Sequence, residues 1–200
     1  MVVVKKQKNN QDFDVLSLLA FNIDDAWKFI KFYESKDKNG DELLKIIKKD
    51  DLIFLRKIAY SCQKDIFDKN VVEAYWLGNE LLEVFWKGKL KDIPCHNLQV
   101  FFNRKNTNCL VTIGRVISVI TNAHAVILEK NIVSSSNGKY VLSEEERSIV
   151  YDRKLLSLKK GDVVLLHWGM ARIKLTASQE KSAISCAKKV IRIINSKKFK

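Results

Sequence analysis

The stretch Cys109-Leu110-Val111-Thr112-Ile113-Gly114-Arg115-Val116-Ile117-Ser118-Val119-Ile120 decides the fold class. Its β-branched residues at 111, 112, 113, 116, 117, 119 and 120 suit a pleated, half-buried surface, and the glycine marks a bend or a close approach. Working outward, Leu98, Val100 and Phe102 alternate before it, so the strand pattern is read as beginning just after Pro94. After it come Ala125-Val126-Ile127-Leu128, Lys139-Tyr140-Val141-Leu142, Ser148-Ile149-Val150-Tyr151 and Val163-Val164-Leu165-Leu166-His167. Turn-rich pieces such as Ser134-Ser135-Ser136-Asn137-Gly138 and Gly161-Asp162 separate them. Five or more short strands at this spacing predict a small barrel, in which closure hides the strand edges. A final helix is predicted from Thr176 or Ser178, either of which can cap it, to about Asn195.

Upstream the period is helical. Asn22-Ile23-Asp24-Asp25 supplies a cap and first-turn acids ahead of Ala26, Trp27, Phe29, Ile30 and Tyr33, and Asn39-Gly40 ends that run. From Asp41, the apolar residues Leu43, Leu44, Ile46, Ile47, Leu52, Phe54, Leu55, Ile58 and Ala59 predict one or two helices, with a bend near Lys49-Asp50-Asp51. Asn70 is a candidate cap for a further helix from Val71 to about Trp86, before Gly88. The expectation is therefore α+β, with a helical domain over residues 1–95 and a barrel domain with a C-terminal helix and a basic tail over residues 96–200.

At 200 residues, 46% hydrophobic and 30% charged, the chain is foldable and globular in composition. Its longest apolar runs are far shorter than the ~18 residues of a spanning helix. The Met1 to Lys6 segment has the wrong order for a secretory signal, and the four cysteines are too scattered for a disulfide framework or a zinc ribbon. A soluble, cytoplasmic protein with reduced thiols is expected. The net charge of +13 is uneven, with 17 Lys+Arg against 16 Asp+Glu in residues 1–100 and 19 against 7 in residues 101–200. Lys188, Lys189, Arg192, Lys197 and Lys198 near the C-terminus are the residues through which a basic barrel would track phosphates, so binding of RNA or single-stranded nucleic acid is the alternative function. Few aromatics on the strands offer stacking platforms for it.

No G-x-S-x-G, H-E-x-x-H, phosphate-cradling glycine loop or paired C-x-x-C occurs, and an enzyme is not expected. Any histidine chemistry must use His96, His124 or His167. Cys95-His96 is a weak metal candidate because neighbours on an extended chain point apart, and Cys62 and Cys186 read as buried, inert thiols on helices.

Cys109 and His167 stand in a more specific frame. The opening Cys109-Leu110-Val111-Thr112-Ile113-Gly114-Arg115-Val116, followed by Lys160-Gly161-Asp162-Val163-Val164-Leu165-Leu166-His167-Trp168-Gly169-Met170-Ala171 and then Ser178-Gln179-Glu180, resembles the HypC/HupF hydrogenase maturation chaperones. That resemblance spans about residues 109–194. It implies an OB-like barrel that carries an iron bearing cyanide and carbonyl ligands, acting with a HypD-like maturation factor or the large subunit of a [NiFe] hydrogenase. The residues that match the family's iron-facing cysteine and histidine are Cys109 and His167, and a thiolate with a neutral imidazole suits such an iron. The resemblance also implies a partner surface including Gly114, Arg115, Trp168 and Gly169. The sequence departs from the family in having 108 residues before the cysteine, Ile113 in place of a proline, and Met170 in place of an aromatic. Glu73 to Leu82, taken with His167-Trp168-Gly169, resembles a family of uncharacterised proteins in which a helical region precedes a HypC-like module. Trp76 and Asn79 are the candidate docking residues there. If Cys109 and His167 share a ligand, the thiol is expected to be accessible, with the side chains within about 4–5 Å of each other.

Overall fold

A computed structural model describes residues 15–20, 23–34, 40–82, 95–102 and 109–196. The chain is mixed α and β, with helices preceding a five-stranded sheet and one long helix following it. A 3-10 turn at Val15–Leu19 leads to α1 (Ile23–Glu34), α2 (Asp41–Leu44), α3 (Lys49–Cys62), α4 (Lys69–Trp76) and α5 (His96–Phe102). The sheet comprises β1 (Thr112–Val119), β2 (His124–Ser134), β3 (Tyr140–Tyr151), β4 (Val163–His167) and β5 (Met170–Lys174), and α6 (Ala177–Asn195) closes the chain.

The predicted break near Lys49 separates α2 from α3, whose Leu55, Ile58 and Ala59 are buried at helical spacing. The cap of α4 is Asp68, which accepts from the Asn70 N–H, and not Asn70. This helix ends at Trp76, and the chain turns at Gly78 with φ +72. A Cβ on Gly78 would lie 2.6 Å from the Cys186 Cβ, so only glycine allows the turn to rest on α6. The Asn22 cap, Asn39, Trp86, Gly88 and Pro94 lie outside the described residues.

The largest correction concerns residues 96–102, expected as a strand and found as the helix α5. Three alternating apolar residues are too short a pattern to separate the two periods, whereas His96, Gln99 and Val100 bury one helical face. Its polar members are invisible to a hydrophobicity pattern. The strands at Lys139–Leu142 and Ser148–Tyr151 are likewise one strand, β3. Its middle, Glu144 to Ser148, is exposed residue after residue, which hides its continuity.

Antiparallel pairs join β1 to β2, β2 to β3, β1 to β4 and β4 to β5, and a short parallel pair joins β3 to β5. The order β1-β2-β3-β5-β4 thus returns to β1 and closes the sheet on itself. Alternation along the strands then makes two cores. Val116, Ala125, Ile127, Ile149, Val164 and Leu166 fill the inside. Gly114 borders them, because a Cβ there would meet the Ile127 side chain at 2.3 Å. Ile113, Ile132, Val163, Leu165 and Ile173 face outward into a second core, continuous with Phe29, Leu55, Ile58, Tyr75, Leu98 and Val190 of the helices. Residues on both sides of the 95/96 boundary share that core. The helix α6 begins with a capping box between Thr176 and Gln179, so of the two caps offered, Thr176 and Ser178, it is Thr176 that serves. Among the described residues, no helix is long and apolar enough to cross a membrane.

Arg172 of β5 ties the N-terminal turn to the sheet. It is 7% exposed, and its Nη2 donates to the Ser17 carbonyl at 3.1 Å and the Ala20 carbonyl at 2.8 Å. Arg172→Ala removes both charge-assisted bonds to these carbonyls from a buried site and is expected to cost about 2–4 kcal/mol. Urea unfolding measures this, and a loss under about 0.5 kcal/mol, within the range of ordinary surface substitutions, would show the link to be incidental.

Candidate metal centre

Three segments converge where α5 meets the mouth of the sheet. Cys109 lies just before β1, His167 ends β4, and His96 opens α5. The Cys109 Sγ is 3.6 Å from the His167 Nε2 and 4.0 Å from the His96 Nε2, and one donor atom from each residue lies within 4.8 Å of the others. Two ligands bound tetrahedrally at ~2.0–2.3 Å are separated by roughly 3.3–3.8 Å, so the thiol and His167 already stand at the spacing of a shared ion. The donor set, one soft sulfur and two imidazoles, suits Zn²⁺, Fe²⁺ or Cu⁺ over Mg²⁺ or Ca²⁺.

The thiol is buried, at 6% exposure, and not accessible as expected. Its neighbours are polar on one side, the two imidazoles, and apolar on the other, Val100 and Leu110. The Trp76 ring stacks on His96 at 4.3 Å between centroids and meets His167 edge-on at 5.1 Å. Trp76 therefore does not offer a docking surface; at 6% exposure it walls the cluster.

Behind His96 is a buried polar relay. The Asp51 carboxylate stands 3.6 Å from the His96 Nδ1, and the Tyr75 hydroxyl lies 3.3 Å from the same nitrogen. That hydroxyl also lies 2.5 Å from both the Asp51 Oδ1 and the Gln99 amide. One phenol proton serves one acceptor, and the carboxylate is the stronger, so the Gln99 amide is best turned to present its NH₂ to the phenol. A carboxylate behind a ligating imidazole fixes the ring and raises its basicity, the usual outer support of metal-bound histidine.

The two histidines are electrostatically opposite. Burial alone pushes His96 down, but the Asp51 carboxylate and the Cys109 thiol and carbonyl outweigh it and hold its pKa at about 9. The His96 Nε2 accordingly donates to the Cys109 carbonyl at 2.9 Å. Burial, with the positive charge of His96 and then of Arg172 and Lys48, pushes His167 down to about 3. His167 is a neutral imidazole beside the thiol, the form a metal requires. An ion at this centre must displace the proton of His96 but none from His167.

The remaining candidates scatter. The Asn79 side chain donates to the Asn70 carbonyl and accepts from the Leu81 N–H, a local cap and not a docking group. Gly114 is buried inside the sheet. Arg115 is exposed and paired with Glu180 at 2.8 Å. Trp168 is 44% exposed with φ +58, a strained conformation for a bulky residue, and Gly169 follows at φ +71. Lys188 and Arg192 are exposed on α6, Lys189 is half-buried, and Lys197 and Lys198 lie outside the described residues.

As neighbours on the chain, Cys95 and His96 are expected to point apart, which makes the pair a weak metal candidate. They do diverge: Cys95 shares a hydrogen bond with Cys186, and only His96 turns to Cys109. Asp51, Tyr75 and Gln99 carried no sequence signal beyond being polar residues amid helical apolar patterns. No protein-family model, curated protein or solved structure matches the chain.

Proposed function

We propose that this chain is a non-enzymatic metallocentre-assembly protein, whose cargo is a first-row transition metal unit held by Cys109, His167 and His96. The convergence of those three donors within 4.8 Å carries the reading. The closed sheet agrees with the OB-like barrel that the HypC-type resemblance implies, and the Cys109–His167 pair is the one that the resemblance singles out. An iron unit with π-accepting ligands is the cargo under this reading, and a HypD-like factor or a hydrogenase large subunit is the giver or receiver.

The chain's own residues would divide the work. Cys109 supplies the anionic donor, His167 is ready as a neutral ligand, and His96 is steered by Asp51 and Tyr75. Trp76 and the apolar Val100 and Leu110 limit water around the centre, which favours retention of a reactive cargo during transfer.

Anaerobic titration with Co²⁺ tests this. Intense visible bands of a tetrahedral ion and a near-ultraviolet thiolate band at one equivalent are the expected result, retained in Cys186→Ala, whose thiol is paired with Cys95. Only weak octahedral bands, unchanged by any of the three ligand substitutions, would refute the reading.

A further inference from the structure

The outer edge of β3 is open, and its geometry can be read residue by residue. Pairing of β3 with β2 runs from Tyr140 opposite Ser134 to Val150 opposite His124 without a register shift. At one end the Lys139 carbonyl accepts from the Ser135 N–H, and at the other the Tyr151 N–H donates to the Ala123 carbonyl. Odd-numbered residues therefore turn their peptide groups toward β2, and by antiparallel alternation the even-numbered residues turn theirs outward. Both ends of the outward row are occupied. The Tyr140 N–H donates to the Asn195 side-chain carbonyl at 2.9 Å, and the Tyr140 carbonyl accepts from its amide at 2.8 Å, as from a neighbouring strand. Val150 pairs with Met170 of β5. Between them, the outward-facing peptide groups of Leu142, Glu144, Glu146 and Ser148 meet no second strand among the described residues. That is ~20 Å of unpaired edge at ~3.3 Å per residue.

The side chains here point the same way. Glu144 through Ser148 are exposed on both faces of the strand, and three consecutive glutamates stand on a chain of net charge +13. Glu144 pairs with Lys130, whereas Glu145 and Glu146 have no ion pair among the described residues. On the inner face, this edge borders a cavity of about 420 Å³ lined by Thr112, Glu129, Arg147, Trp168 and Gly169. The buried Glu129 carboxylate accepts from the Thr112 hydroxyl and from Arg147, so the floor of the cavity is satisfied and neutral.

We propose that this edge docks an extended, Lys- or Arg-bearing segment of a partner protein, which adds as a strand beside β3 between Tyr140 and Val150. Main-chain bonds to Leu142, Glu144, Glu146 and Ser148 supply affinity, and the glutamates and the cavity beside Trp168 supply selectivity. A second copy of this chain is the wrong occupant, because pairing β3 with β3 sets glutamates opposite glutamates. The inference does not rest on the metal centre and holds whether or not that centre binds a metal.

The full chain is mixed with a nine-residue peptide alternating Lys and Thr, and amide exchange is followed residue by residue. Binding is expected to slow exchange at Leu142, Glu144, Glu146 and Ser148 by at least about tenfold. The same peptide with alternate amides N-methylated, and a Glu-Thr peptide, are expected not to bind. The triple substitution Glu144→Lys, Glu145→Lys, Glu146→Lys, all at exposed positions, is expected to weaken the Lys-Thr peptide by about tenfold or more. Four outcomes overturn the proposal: no binding at millimolar peptide, binding indifferent to N-methylation or to the triple substitution, slow exchange at those four amides in the dilute free protein, or protection that appears only with concentration-dependent dimerisation.

Discussion

Cys109→Ala is expected to lower affinity for Co²⁺ or Zn²⁺ by at least about a hundredfold, while changing the stability of the metal-free protein by no more than about 1–2 kcal/mol. Removing the only anionic donor leaves two imidazoles, one of them protonated at neutral pH, and so removes both the charge and the soft ligand that select a transition metal. The stability effect is small because the sulfur makes only long contacts, at 3.6 and 4.0 Å, and its loss leaves a void of one atom in a small apolar cluster. Competition against a chromophoric chelator measures the affinity, and thermal melts without metal measure the stability. His167→Ala should lose affinity comparably. If Cys109→Ala binds as wild type does, the cluster is a structural polar core.

The metal-free protein should be most stable near pH 6.5 and lose stability on both sides. His96 has a folded pKa of about 9 against an ordinary 6.5, so its contribution is complete below 6.5 and is lost as pH rises through 9. His167 has a folded pKa of about 3, so below 6.5 the unfolded chain takes up a proton that the folded one refuses until pH 3. Stability therefore falls as pH drops from 6.5 toward 3. Asp51 adds to the acid limb. Burial pushes it up, but the hydrogen bonds and charge of His96 and the Tyr75 hydroxyl outweigh this, so the folded carboxyl sits below its ordinary value and its contribution goes as it protonates. At 1.36 kcal/mol per pKa unit, the His96 limb is on the order of 3 kcal/mol and the His167 limb on the order of 5 kcal/mol. Urea midpoints from pH 4 to 9.5 read it out. His96→Asn should flatten the alkaline limb and shrink the acid one, because the His96 charge helps hold both His167 and Asp51 down, and a wild-type curve flat from pH 6.5 to 9 would show that His96 is not held as the cation.

Much of the fold was written locally. The capping box at Thr176, the β-branched run from Val111 to Ile120 and the break at Lys49 depend on neighbours within a few residues, and they are where the sequence puts them. The reading failed where local pattern and tertiary burial part company. Leu98, Val100 and Phe102 mimic a strand, yet packing of Leu98 into the helical core and of His96 and Gln99 against Tyr75 makes the segment a helix. Glu144 to Ser148 interrupts the hydrophobic alternation because its edge is open, and so one strand looked like two.

The sequence by itself determined that helices come before strands and that a capped helix follows them, and it marked Cys109 and His167 through motif spacing, because these follow from residue order alone. Only the tertiary structure decided that His96, with Asp51 and Tyr75 behind it, joins Cys109 and His167, and that Trp76 walls the cluster. Residues 51, 75, 96, 109 and 167 share no periodicity. They meet because the outer face of the sheet and the helices bury a common apolar core, and that burial fixes where their polar side chains must find partners.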